Sequence, residues 1–271
     1  MQIIKEVLRM NKDRMKRIRS CEEAYIRCFS SYYENDRIIR YRDPELPDMY
    51  DHNFTRIKDP LSDDDLWKLI QQEIDFNRSE NKNFCKIVLD KLPAEMHAFA
   101  IYGSPTIEHN GYYYYAPMRS PAWKTAEECG IRKTTDLSMA QQLLALDLAH
   151  DRQSCGEDFC IRRVQRRTKV YLSDQPCDSY LCDYAGKPVG NCDLFFSEGT
   201  AKIEDFAVLP DYQRRRIGTF ILKHMVDTAL SEGARLIYLV ADEDDTPKEM
   251  YSKLGFEKVA DSYALFWKYT A

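Results

Sequence analysis

Apolar residues recur at helical spacing from the start of the chain. Ile3, Ile4, Val7, Leu8, Met15 and Ile18 share one side, and Lys5, Arg9, Lys12, Lys16 and Arg17 surround them. Residues 2–19 are therefore expected to form an amphipathic helix docked by its apolar face, with Glu6 and Asp13 interrupting the basic back. From Arg37 to Asp59 prolines and aromatics replace that period, which predicts short strands or loops. Ser62 ahead of three aspartates marks a helix start, continued by Leu66, Leu69, Ile70 and Ile74. Cys85 to Leu89 and Tyr112 to Ala116 read as strands. The pattern relaxes between Ser120 and Gly130, with Pro121 as punctuation, so a boundary is expected there, dividing residues 1–125 from 126–271.

Beyond that boundary Arg132 to Thr134 is a short strand, and Ser138 opens a helix through Met139, Leu143, Leu144, Leu146 and Leu148 to His150. Gly156 precedes a second helical stretch through Phe159, Ile161 and Val164, whose Arg162, Arg163, Arg166 and Arg167 are expected on a solvated face. Three strands follow, Ser179 to Tyr184, Val189 to Phe196 and Ala201 to Leu209. Turn formers around Gly186 and Gly199 join them into an antiparallel meander that stops at Pro210.

Composition narrows the setting. With 271 residues, 44% of them hydrophobic, the chain can build one large core or two ordinary ones. A net charge of −5 argues against a nucleic-acid or anionic-membrane binder, and no segment approaches the roughly 18–20 apolar residues that span a bilayer. The N-terminus lacks an apolar signal core, so the expected location is the cytoplasm. Nine cysteines without C-x2-C pairing read as reduced thiols, and no metal site is expected even though His150 lies near Cys155.

The chemistry is concentrated after Pro210, in Asp211-Tyr212-Gln213-Arg214-Arg215-Arg216-Ile217-Gly218-Thr219. Ile217, Ile221, Met225 and Ala229 then fall on one stripe, Leu222, Val226 and Leu230 widen it, and Gly233 ends the helix. A strand thus delivers a basic turn to a helix N-terminus, where free N–H groups and the positive dipole end attract an anion such as a pyrophosphate.

This wording resembles the acetyl-CoA-binding motif of the GNAT superfamily: Arg or Gln, two variable residues, Gly, one variable residue, then Gly or Ala. Gln213 and Gly218 match its ends, whereas Arg216 stands at the first glycine. If that position needs positive φ, arginine there carries strain of order 1 kcal/mol; otherwise the turn keeps ordinary dihedrals. The resemblance continues through the strand Leu236 to Val240, the helix start at Thr246-Pro247-Lys248-Glu249, Tyr251, Leu254-Gly255-Phe256 and a last strand from Tyr263 to Tyr269. It implies an α+β GNAT fold, a mixed, mostly antiparallel sheet flanked by helices, over about Arg132 to Tyr269. The first 125 residues are read as a preceding α+β domain resembling the same fold in degenerate form.

The resemblance also implies an activity, acetyl transfer from acetyl-CoA, as co-substrate, to a primary amine of a small molecule or peptide. Backbone groups of Phe206, Ala207 and Val208 would hold the pantetheine arm. Gln213, Arg214, Arg215, Arg216, Ile217, Gly218 and Thr219 would take the pyrophosphate, and Asp244 stands nearest to a family asparagine that contacts the cofactor. Tyr251 would protonate the leaving thiolate. Glu204 is the candidate base, since on a regular strand it shares a face with Phe206 and Val208, although a bulge would reverse part of that alternation. A GNAT-fold module that binds CoA without turnover is the alternative; a monomer or homodimer is expected.

Overall fold

In the computed structural model of the protein, residues 2–58, 61–94, 96, 103–117, 123–244 and 247–269 are described. In chain order the elements are α1 (Gln2–Ile26), β1 (Ser31–Glu34), β2 (Ile38–Arg42), β3 (Thr55–Ile57), α2 (Asp63–Ser79), β4 (Phe84–Leu89), β5 (Thr106–Tyr115) and β6 (Cys129–Lys133). They continue with α3 (Leu137–Cys155), α4 (Glu157–Tyr171), β7 (Cys177–Tyr184), β8 (Lys187–Ser197), β9 (Thr200–Val208), α5 (Ile217–Ser231), β10 (Leu236–Asp242), α6 (Pro247–Lys253) and β11 (Phe256–Lys268). This is an α+β chain, with mixed sheet flanked by helices. No described helix is long and apolar enough to cross a membrane.

Contacts group the residues into two compact units that interleave along the chain. One comprises residues 1–29, 112–240 and 246–259; the other comprises 30–111, 241–245 and 260–271. The division differs from the consecutive 1–125 and 126–271 expected from composition, because α1 docks on strands remote from it in sequence while the end of β11 pairs with β4. The Ser120-Pro121 punctuation lies outside the described residues, as do the Thr246 cap and the side chains of Ile3, Ile4, Val7 and Leu8.

In the smaller unit the strands run in the order β1-β2-β3-β4-β11, antiparallel except for the parallel pair β3–β4. Helix α2 starts where Ser62 Oγ accepts the Asp65 N–H, and its Leu66, Trp67, Leu69, Ile70 and Ile74 pack into one cluster with Ile38, Ile87 and Trp267.

In the larger unit β6-β7-β8-β9 form an antiparallel meander, and β10 joins β9 in parallel. Its hairpins turn through Ala185-Gly186 and Glu198-Gly199, each with two consecutive positive φ values, as a two-residue turn between twisted strands requires. Helix α5 buries Ile217, Ile221, Leu222, Met225, Val226 and Ala229 almost completely, but Leu230 is half-exposed and does not widen the stripe. Gly233 closes the helix, with Ala234 N donating to Ala229 O and Gly233 N to Leu230 O. Helix α1 runs seven residues past its expected end and seats Ile18, Cys21 and Tyr25 in the core, where the Tyr25 ring meets Phe195 edge-on at 5.4 Å. Helix α3 starts at Leu137, because Asp136 rather than Ser138 caps it by accepting the Met139 N–H at 2.9 Å. Strand β11 begins directly after Gly255, well before Tyr263.

Candidate active site

The site is built on an irregularity in β9. Asp193 pairs with Glu204 and Asn191 with Ala207, so two residues, Asp205 and Phe206, oppose Cys192 alone. This is a β-bulge, with Asp205 at φ 49° and its carbonyl accepting Asn191 Nδ2 at 2.6 Å. The parallel ladder to β10 extends only from Leu236↔Thr200 to Leu239↔Ile203, although β9 continues to Val208. The edge of β9 turned away from β8 is therefore left without β10 pairing along its last five residues. Leu209 N bonds back to Val189 O, and by antiparallel alternation the amide of Val208 points to that open edge.

The bulge also resets which residues share a face. Glu204 and Ala207 pair with Asp193 and Asn191, which lie on one face of β8, so Phe206 and Val208 turn to the other. The regular alternation that grouped Glu204 with Phe206 and Val208 does not hold. The Glu204 carboxylate sits 2.8 Å from Lys202 Nζ, which also meets Glu22 at 2.9 Å and lies over the Tyr25 ring, and Glu204 is not among the cleft-lining residues described below.

After Pro210 the chain makes one 3-10 turn, and α5 starts at Ile217. Arg216 is its N-cap in the left-handed region, at φ 65° and ψ 12°, and Arg214 is also left-handed at φ 59°. The arginine at the motif's first glycine thus adopts the strained alternative, at a cost of about 1–2 kcal/mol. No side chain caps the helix and its first turn holds no acidic residue, so the N–H groups of Ile217, Gly218 and Thr219 lack intrahelical partners. The backbone N–H of Gln213 is bonded to Pro210 O and its Nε2 donates to Val208 O at 3.1 Å, tying the turn to the strand end. Gly218 permits a close approach, since a Cβ there would lie 3.0 Å from Phe206 Cζ.

These pieces enclose a cleft of about 990 Å³. Its walls are the end of β9 (Phe206, Ala207, Val208), the turn and helix start (Gln213, Arg214, Arg216, Gly218, Thr219), His150 from α3, and Glu249 to Tyr251, Lys253 and Leu254. Tyr251 is buried, with its ring edge-on to Phe206 at 6.4 Å and to Phe256 at 6.2 Å. Arg214, Arg215 and Arg216 are exposed, and with Glu127 and Glu128 they line a further hollow of about 410 Å³. Arg215 faces that hollow and lies over the Tyr212 ring at 5.4 Å. Ile217 contributes only backbone, its side chain being in the core. Asp244 is exposed in the smaller unit, and its own amide is closed onto Asp242 Oδ1 at 2.8 Å.

Behind the bulge lies a polar layer that sequence periodicity did not reveal. Arg167 was expected in solvent, yet it is buried with its Nη1 2.5 Å from Asp205 Oδ2. Burial works against the Arg167 charge, but Asp205, Tyr171, Tyr25 and Asp193 together outweigh it, so the guanidinium stays above its ordinary range. Arg163 is likewise drawn in, to 2.7 Å from Asp147 and 2.5 Å from Asp151, and Arg166 donates to Phe29 O; only Arg162 lies at the surface, beside Asp158. Asp193 is completely buried and accepts the Tyr171 hydroxyl at 2.5 Å. Desolvation, then the Asp205 charge, push its carboxyl up to about 8 against the pull of Arg167. An αL aspartate with a buried arginine partner leaves no trace at short range in sequence, which is why this layer was missed.

Residues 145–256, from within α3 to the start of β11, match the model of the Acetyltransferase (GNAT) family. This stretch is similar to a GNAT domain. Over nearly the whole chain the protein is similar to the uncharacterised N-acetyltransferase CgeE of Bacillus subtilis, with 27% identity over 267 residues covering 90% of this chain and 95% of the relative. Two solved structures share the fold. One is a conserved protein of unknown function from Staphylococcus epidermidis (TM-score 0.72, 19% identity, 89% of this chain and 95% of that one). The other is a GCN5-related N-acetyltransferase from Kribbella flavida (TM-score 0.66, 13% identity, 94% and 95%).

Proposed function

We propose that the protein transfers an acetyl group from acetyl-CoA to a primary amine of a small molecule or peptide, in the cytoplasm. The observation that carries this reading is the uncapped N-terminus of α5, which opens onto the same cleft as the bulged strand end and Tyr251. The residues suit the co-substrate. Three orphan N–H groups and the positive dipole end receive a pyrophosphate, with Arg214 and Arg216 adding long-range attraction. The open edge of β9 offers the Val208 amide to the pantetheine arm, while Phe206 against Gly218 closes the floor.

Acetyl-CoA supplies the reactive thioester. Attack by a neutral amine forms the C–N bond, breaks the C–S bond and leaves a thiolate that needs a proton. On this reading Tyr251 of α6, which lines the cleft, provides it. The products are the acetylated amine and free CoA thiol. The test is calorimetric titration of CoA together with thiol release from acetyl-CoA in the presence of a polyamine, an amino acid, an aminoglycoside and a lysine peptide. Binding with turnover of one of these supports the reading. Tight binding with no turnover favours a CoA-binding module, and no heat on titration removes the cofactor site altogether.

A further inference from the structure

The family motif does not say which group on this chain deprotonates the incoming amine. The sequence candidate, Glu204, is engaged by Lys202 and lies off the cleft wall. Among the described cleft-lining residues, proton acceptors other than Tyr251 come down to His150 and Glu249. Glu249 is 71% exposed on α6, with Lys253 3.9 Å away, so water competes for any hydrogen bond it forms. His150 is half-buried on α3 and lines the cleft together with Phe206, Ala207 and Val208. Its Nε2 is shielded from solvent and has no hydrogen-bond partner. A buried ring nitrogen left unbonded is costly unless a ligand completes it.

We propose, building on the acetyl-transfer reading, that His150 is the base that takes the proton from the acceptor ammonium before attack. The imidazole gains that proton, the freed nitrogen lone pair forms the bond to the acetyl carbon, the Tyr251 proton goes to sulfur as the C–S bond breaks, and the second proton lost by the nitrogen as the amide forms returns Tyr251 to its neutral state. The proton held by His150 then passes to water. The carboxylates beside His150 on α3 are engaged elsewhere. Its helical neighbours Asp147 and Asp151 both pair with Arg163 of α4. Arg214 and Arg216 from the turn and Lys253 from α6 also line the cleft, and Glu249 is the one cleft-lining carboxylate among the described residues.

The experiment compares wild type, His150→Gln and His150→Ala in acetyl-CoA thiol release with the amine panel above, from pH 6 to 9, alongside calorimetry with CoA and thermal melts. Glutamine keeps the size and hydrogen bonding of the side chain but cannot accept the proton. The expected result is a fall of about 100-fold or more in amine kcat/KM for His150→Gln, with loss of the acid limb of the pH profile and CoA affinity unchanged. Turnover close to wild type with the same acid limb overturns the proposal and leaves the acetyl-transfer reading standing. Wild-type protein that takes up no CoA, or binds it and acetylates no amine, overturns that reading and this proposal with it. As a second readout, the His150 Cε1–H resonance should titrate and move when CoA is added; a resonance that does neither refutes the assignment even if a variant fails to fold.

Discussion

Replacing Gly190 with alanine probes the packing of β8 against the end of β9 without touching a charged group. Gly190 lies on β8 opposite Val208, and a Cβ built there falls 2.6 Å from Ala207 O and 3.1 Å from Ile221 Cδ1. Carbon–oxygen contacts across strands settle near about 3.3 Å, so relief requires a shift of roughly 0.7 Å. The atom in the way is backbone, in the strand end that also presents Val208 to the open edge. Overpacking of this kind costs about 1–3 kcal/mol, and the lost freedom of the unfolded chain returns about 0.4–1. The net destabilisation is about 1–2 kcal/mol, which thermal melts resolve as a drop of several degrees. If the strand end holds the pantetheine arm as proposed, moving it also loosens that grip, and calorimetry should show weaker CoA binding. Gly130→Ala is the control, because nothing lies within 4 Å of its Cβ position. A Gly190→Ala protein that melts with wild type and binds CoA equally well would refute both the close approach and its role in the site.

Three further outcomes are expected. Asp205→Asn keeps a residue tolerant of positive φ but strips Arg167 of its partner; because Asp205 is one-third exposed, the cost is about 2–3 kcal/mol by urea unfolding, and Arg167→Met in the same chain recovers part of it. The Asp193 carboxyl sits above its unfolded range, so the native state binds more protons between about pH 4 and 8 and stability falls as pH rises through that window. Asp193→Asn should flatten the difference between urea midpoints at pH 5 and 8, and an unchanged difference would show that another group sets it. Tyr251→Phe should lower kcat by about 10²–10⁴ while calorimetric CoA affinity holds, whereas equal turnover would assign the ring to packing against Phe206 and Phe256 alone.

The sequence by itself determined what is fixed within a few residues. The hairpin turns at Gly186 and Gly199, the α5 stripe from Ile217 to Ala229 and its stop at Gly233 are local choices of backbone conformation and apolar period, so they were legible. The motif around Gly218 located the turn and helix start that line the cleft for the same reason. Only the tertiary structure decided that Asp205 bulges, that Glu204 therefore turns to Lys202, that Arg167 is buried beneath the bulge, and that Arg216 is held at positive φ. It also brought His150 to the same cleft as Tyr251, a hundred residues later in the chain. Strand register and buried charge pairing depend on partners distant in sequence, and one inserted residue reverses a strand's faces, so alternation along β9 alone could not reveal which carboxylate or imidazole meets the cleft.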